Sequence, residues 1–399
     1  MSELARRIAF TIGALLIFRL GNHIPLPGVT PQAIGLLPAS FGRISILSLS
    51  LTSYLSAAIF IQLVSLVWRR LSALERSGEA GRRRIAWVTL ALTLAIAAFQ
   101  AFGVAFTIQK FPQLVPEPGG WFLFSVTLSM VGGVFFLVWL SEQISRYGIG
   151  NGLAIILCVD VIVSLPAEVG TVLELLRRGA ISGNRALFHI LFWVAMVTVI
   201  VLVESARRNV PVRYDARHVG HRLLPSCDSV LPIKLNSAGF LIPATVTPWL
   251  FYLPLAVAAF AFGQTPWLEG AYEHIEFGRP AHIILGSIAV FVFAFIYTAY
   301  VLDPERAAQR LQEQGGAIPG VTPGDPTADH LDRVVTLTTV VGAAWLVAIS
   351  FIPEALVAGG VLLPYKMGGG SALIVVCTIL DIRTQARDLR RAGRGGERL

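Results

Sequence analysis

Asp160 stands in a run, Cys158-Val159-Asp160-Val161, that is otherwise apolar. With Gln62, Asn151, Asn236 and Thr245 it makes a short set of polar side chains in or beside hydrophobic segments. An ionised carboxylate in hydrocarbon is costly, so Asp160 must reach water, a partner or a proton. The neutral members serve either helix packing, worth about 1 kcal/mol each, or a shared polar path through a bundle. Bond-making chemistry finds little support. Cys158, Cys227 and Cys377 lie far apart without ligand or disulfide spacing, and the 7 histidines do not cluster. No G-x-x-x-x-G-K-[ST] phosphate loop is present, and Tyr147-Gly148-Ile149-Gly150-Asn151-Gly152 matches no dinucleotide fingerprint. Its glycines suit a tight turn between hydrophobic segments. No catalytic, cofactor or metal site is expected.

The elements that must position these groups are membrane helices. Of 399 residues, 55% are hydrophobic and only 14% charged, too few charges to cover a soluble domain of this size. Stretches such as 121–140, 186–203 and 283–302 are apolar for roughly the twenty residues that cross about 30 Å of hydrocarbon as a helix. They lack the strict alternation of a barrel strand. About ten spans are expected, at 8–24, 44–68, 85–108, 121–144, 151–173, 187–204, 238–262, 281–302, 334–353 and 370–386, in an all-α polytopic fold. The first run has a basic start, but Arg19 interrupts it and no small-x-small cleavage signal follows, so it is read as a retained span.

Charge orients the spans. Of 32 lysines and arginines, 24 lie in the set of segments that holds both termini and only seven in the opposite set, with Arg19 inside the first span. That bias places both termini and the loops 69–84, 205–237 and 303–333 in the cytoplasm. Attraction to anionic lipids acts in the same direction. The formal charge of +8 serves topology alone, or it also forms a face, with Arg69, Arg70, Arg82, Arg83, Arg84, Arg207, Arg208, Arg213, Arg217 and Arg222, for an acidic partner or RNA phosphates.

Function should show where spans are imperfect. Residues 30–53 are too polar and interrupted for a simple span and read as a short or reentrant piece from about Ala33 joined to a serine-rich helix. In loop 303–333, Asp303 to Gly316 suits a short capped helix. Ile318-Pro319-Gly320-Val321-Thr322-Pro323-Gly324, with two Pro-Gly steps, suits a rigid projecting turn.

Several stretches together resemble the SecY family, the channel subunit of the bacterial Sec protein translocase. They are Gly13 to Gly21 with Ile24-Pro25-Leu26-Pro27-Gly28, Glu79 to Arg84, Trp139 to Ile144 with Gly148 to Gly152, Leu231 to Gly239, and Tyr297-Thr298-Ala299. The resemblance implies two inverted five-span halves, 1–173 and 187–399, around an hourglass pore that opens sideways between the second and third spans and the seventh and eighth. It implies a constriction ring at Leu51, Leu55, Leu157, Thr245 or Val246, and Ile374, a plug near 34–43, and lateral-gate polar residues Gln62 and Asn236. Aliphatic ring members suit any passing sequence, and an empty apolar neck disfavours a continuous water column.

By the same resemblance the expected function is translocation of unfolded precursors across, and insertion of hydrophobic segments into, the bacterial inner membrane. The partners are SecE-like and SecG-like subunits, a SecA-type motor or a ribosome, and signal sequences; no enzyme activity is implied. This chain departs from the family in places. Pro38 to Gly42 replaces the glycine-rich plug motif, Thr52-Ser53-Tyr54 replaces Met-Pro-Tyr, and Thr322 stands where the family carries an important arginine. A threonine cannot make the bidentate, charged contacts of arginine. Two alternatives follow: a specialised or accessory insertion factor of the same fold with weakened docking, and an ion-coupled solute transporter built on inverted halves and Asp160.

Overall fold

The computed structural model describes residues 3–30, 45–68, 71, 74, 77–214, 217–219, 222–224, 227–243, 266–361 and 368–396. The expected plug at 34–43, Arg69 and Arg70, and Thr245 and Val246, lie outside them. In chain order the helices are α1 (Glu3–Gly21), α2 (Thr52–Val67), α3 (Glu79–Ile108), α4 (Gly120–Tyr147), α5 (Gly152–Arg177), α6 (Gly183–Ser205), α7 (Pro266–Ile275), α8 (Pro280–Val301), α9 (Pro304–Glu313), α10 (Asp325–Ala358) and α11 (Gly369–Gly396). Among the described residues six helices are long and apolar enough to span a membrane: α3, α4, α5, α6, the helix that begins at Pro280, and α10. Their outward faces are apolar, with Leu128, Leu187, Val194, Leu202 and Ile288 all more than half exposed, as lipid contact requires.

Two compact units form. The first comprises residues 1–167 with 374–399. There α3 presents Ala97, Ala101 and Ala105, four residues apart and fully buried, against a core that includes Val126, Met130 and Val134 of α4. Small side chains at that spacing let two helix backbones approach, which is how spans gain packing energy where lipid tails are as apolar as leucine.

The second unit comprises 168–373. Here α8 and α10 are joined at one end by a buried pair, His282 Nδ1 and Glu354 Oε1, 2.6 Å apart, with the Gly278 N–H donating to the same oxygen at 2.7 Å. At the other end the connecting segments fold on themselves. Strands β1 (Arg207–Tyr214), β2 (Arg217–Val219), β3 (Arg222–Leu224) and β4 (Cys227–Lys234) make an antiparallel hairpin and its tip. Strand β5 (Gly316–Ala317) adds to β1, giving the order β4-β1-β5.

The amino-acid sequence leads to the expectation of an all-α fold without strands, to which β1–β5 are an addition. The hairpin's signal is the alternation of Val210 and Val212, which are buried with Ile233 against Ala308 and Leu311 of α9 and Leu331 of α10. The short capped helix is present as α9, with Pro304 in its first turn and Asp303 accepting the Arg306 N–H at 3.2 Å. The turn after it is anchored rather than free, because Ile318 is buried in that small core.

Candidate functional site

Leu51, Leu55, Leu157 and Ile374, the expected ring members among the described residues, belong to the first unit, where two turns rich in hydrogen bonds precede or flank them. Over its described residues the expected second span, 44–68, is not one continuous helix. Residues 46–51 form tight turns, bridged by Pro25 and Ser45, and α2 starts at Thr52. The Ile46 N–H donates to Ile24 O at 3.2 Å, Ser48 Oγ to Ser45 O at 2.7 Å, and Thr52 Oγ1 to Leu49 O at 2.8 Å. The local serines and threonine thus satisfy a non-helical backbone from within. Two glycines admit these turns: a Cβ on Gly133 would lie 2.1 Å from Ile46 O, and one on Gly21 would lie 2.5 Å from Leu47 Cδ1. Ser50 takes φ 52°, a left-handed conformation that L residues adopt at a cost of roughly 1–2 kcal/mol. Leu51 and Leu55 follow it, 0% and 4% exposed, linked by the Leu55 N–H to Leu51 O bond of 2.9 Å.

Leu157 of α5 and Ile374 of α11 are placed by the glycine turn read from sequence. Thr11 Oγ1 of α1 accepts the Ile149 N–H at 3.0 Å, Gln385 Oε1 of α11 accepts the Gly150 N–H at 2.7 Å, and Ser145 Oγ accepts the Gly152 N–H at 2.9 Å. Asn151 is the cap of α5, its Oδ1 accepting the Leu153 N–H at 3.0 Å. Deeper along the pair, Thr378 Oγ1 donates to Ala154 O at 3.3 Å. These contacts make α5 and α11 antiparallel, one rising as the other falls. Leu157 lies one turn beyond Ala154 and Ile374 one turn beyond Thr378, so the two sit at one level, at about 1.5 Å per residue. Both are buried.

Of the polar set, Gln62 lies on α2 with Oε1 buried and without a hydrogen-bond partner among the described residues. Ser53 Oγ, on the same helix, donates to Gln100 Oε1 of α3 at 2.6 Å. Asp160 is exposed on α5, with the Arg19 guanidinium near enough to act on it electrostatically. Asn236, in the second unit, is 4% exposed, and its Nδ2 donates to Glu204 Oε1 at 2.7 Å. Glu204 was missed from sequence, where a carboxylate at the end of a span reads as a topology residue.

Of the expected docking residues, Arg82, Arg83 and Thr322 are exposed. Arg82 and Arg83 are exposed in the first turn of α3. The backbones of Arg217 and Arg222 lie on the paired strands β2 and β3 at the hairpin's tip. Thr322 is exposed, and its carbonyl accepts Thr327 Oγ1 of α10 at 2.9 Å, so that its side chain is not needed to hold the turn.

Comparison with known proteins decides the affiliation. The family model described as SecY matches residues 45–383. The chain belongs to the SecY family. The Protein translocase subunit SecY of Escherichia coli is 35% identical over 410 residues, covering 98% of this chain and 92% of that protein. The SecY proteins of Vibrio cholerae, 34% identical with 97% and 92% covered, and Rickettsia typhi, 33% identical with 96% and 93% covered, are similar to it to the same degree. Among solved structures, a SecY whose plug domain is described as stabilising the closed state of the translocation channel superposes with a TM-score of 0.73 at 18% identity, covering 97% of this chain and 92% of that one. A structure described as a protein-conducting channel gives 0.71 at 17%, covering 97% and 93%. Sec61 in the canine ribosome–channel complex gives 0.68 at 16%, also covering 97% and 93%. The chain therefore has the SecY fold over nearly its full length, and the expectation of about ten spans fits that fold.

Proposed function

We propose that this chain is the channel subunit through which unfolded polypeptides cross the bacterial cytoplasmic membrane and hydrophobic segments leave sideways into lipid. The observation that carries the reading is the end-to-end match: one third identity to Protein translocase subunit SecY over 98% of the chain. The charge bias supports cytoplasmic termini. In this reading the halves are 1–173 and 187–399, and Leu51, Leu55, Leu157, Val246 and Ile374 form the constriction. Gln62 and Asn236 belong to the lateral gate, and a segment near 34–43 is the plug. Small clamp subunits resembling SecE and SecG complete the complex. Because the chain carries no phosphate loop, the energy comes from a SecA-type motor or a translating ribosome.

The test is reconstitution with these small subunits in vesicles containing anionic lipid, with the motor and an unfolded precursor outside. Protease-protected precursor should accumulate only with ATP; none with matched partners from the same cell would remove the reading. The same assay weighs Thr322. Its side chain is exposed and unused in the turn, so Thr322→Arg should fold normally. A new charge-assisted contact to an acidic motor surface is worth about 1.5–3 kcal/mol where it forms. The expected result is motor-driven transport raised several-fold at limiting motor, with no change at saturating motor. Equal curves for both proteins would take the docking role away from this position.

A further inference from the structure

The bond between Asn236 and Glu204 lies where four parts of the second unit meet. Glu204 is in the last turn of α6, and Asn236 follows β4, five residues before the helical residues 241–243, near where the seventh span is expected to begin. Between them the chain leaves as β1 and returns as β4, with Arg207 opposite Lys234 at the base and the Leu235 N–H donating to Ala206 O at 3.3 Å. Asn236 Oδ1 also accepts the Gly239 N–H at 2.9 Å, so the carboxamide is engaged at both ends. Helix α10 closes the junction at Gly342, where a Cβ would lie 2.4 Å from Leu235 O and 3.3 Å from Asn236 Cα. The backbone here has no room to drift toward α10.

We infer that Glu204 is a positioning residue of the channel: by holding the Asn236 amide it fixes where the seventh span begins and ties that start to the β1–β4 hairpin. The inference rests on the reading of Asn236 as a gate residue. A hydrogen bond to an ionised acceptor is roughly twice as strong as a neutral one, and Asn236 is buried, so water replaces the lost partner poorly. With Glu204 in place, the start of the span yields only to a signal segment whose transfer from water to lipid is strongly favourable. Without it, weaker signals suffice. A load on the exposed hairpin reaches the same point through the paired strands.

The experiment uses the full reconstituted complex and two precursors with one mature sequence, the first with an intact signal and the second with its apolar core shortened. Their transport ratio is the readout. Loss of one charge-assisted bond should raise passage of the shortened precursor relative to the intact one by about tenfold in Glu204→Ala. Glu204→Gln, which keeps an acceptor oxygen for Asn236 Nδ2, should stay within about threefold of the parent, as a neutral bond replaces a charged one. Should Glu204→Ala not accumulate, the single change Asn236→Asp sets two carboxylates together and should raise the ratio. The double change Glu204→Gln with Asn236→Asp reverses the donor and acceptor and should restore it. An unchanged ratio in a folded Glu204→Ala complex, equal loss for both precursors, or no restoration by the swap would overturn the inference. If the parent complex passes neither precursor, it is the channel reading that fails.

Discussion

Gly152→Ala is expected to yield little folded protein. The added Cβ would stand 1.9 Å from Ser141 O and 2.8 Å from the Ser141 carbonyl carbon, backbone atoms of α4 that cannot swing away as a side chain does. Relief requires α4 and α5 to separate at their shared turn. That movement pulls on the Gly152 N–H to Ser145 Oγ bond and on the bonds that Ile149 and Gly150 make to α1 and α11. Overpacking commonly costs about 1–3 kcal/mol, and a clash against backbone within a four-helix junction belongs at or above the top of that range. Thermal unfolding in detergent and the steady-state amount of protein in membranes measure it. Gly132→Ala is the control, since a Cβ there meets nothing within 4 Å. Parity between the two variants would show that the turn is slack.

Pairing Leu55→Asn with Ile374→Asn should make the resting complex leak ions, with conductance up by about tenfold or more, because the constriction proposed at these residues would change from a dry apolar neck to a wettable one. Both residues are buried in the first unit, and Leu157 shares the level of Ile374 through the antiparallel pairing of α5 and α11. Planar-bilayer current without substrate is the measurement. Precursor transport should fall less than the leak rises, since the neck needs only to fit a chain loosely. Leu137→Asn, in a fully buried site of α4 outside the proposed ring, should lower yield without leak. A leak from Leu137→Asn, or none from the paired change, would move the seal elsewhere.

Much of this was legible because lipid imposes a simple rule. Backbone polar groups must be satisfied within each segment, so a continuous apolar run has one structural outcome, and the runs at 121–144 and 187–204 lie inside α4 and α6. Apolarity marks the hydrocarbon, however, not the helix. Helix α10 continues from the expected end at 353 to Ala358, and α5 from 173 to Arg177, because hydrogen bonding does not stop at the lipid boundary. Neither Pro166 nor Pro353 breaks its helix. The glycine turn was readable for a similar reason: glycines beside Asn151 prescribe a turn and a cap locally.

The hairpin was harder to see. Strand β1 carries Arg207, Arg208 and Arg213 among its valines, and β5, which completes the sheet beyond it, arrives about a hundred residues later. Strand pairing of that kind has no local signature except alternation, and here the arginines obscure it.

Amino-acid order alone determined that this chain lives in lipid, where spans such as 121–144 and 187–204 run, and that Asn151 turns a corner, because each depends on neighbours within a helix turn or on the solvent. Tertiary structure decided which partners Glu204, Thr11 and Gln385 meet. Each is a polar residue whose partner lies 32 to 235 residues away. Distance along the chain carries no information about such a meeting until packing has brought the two groups within hydrogen-bonding reach.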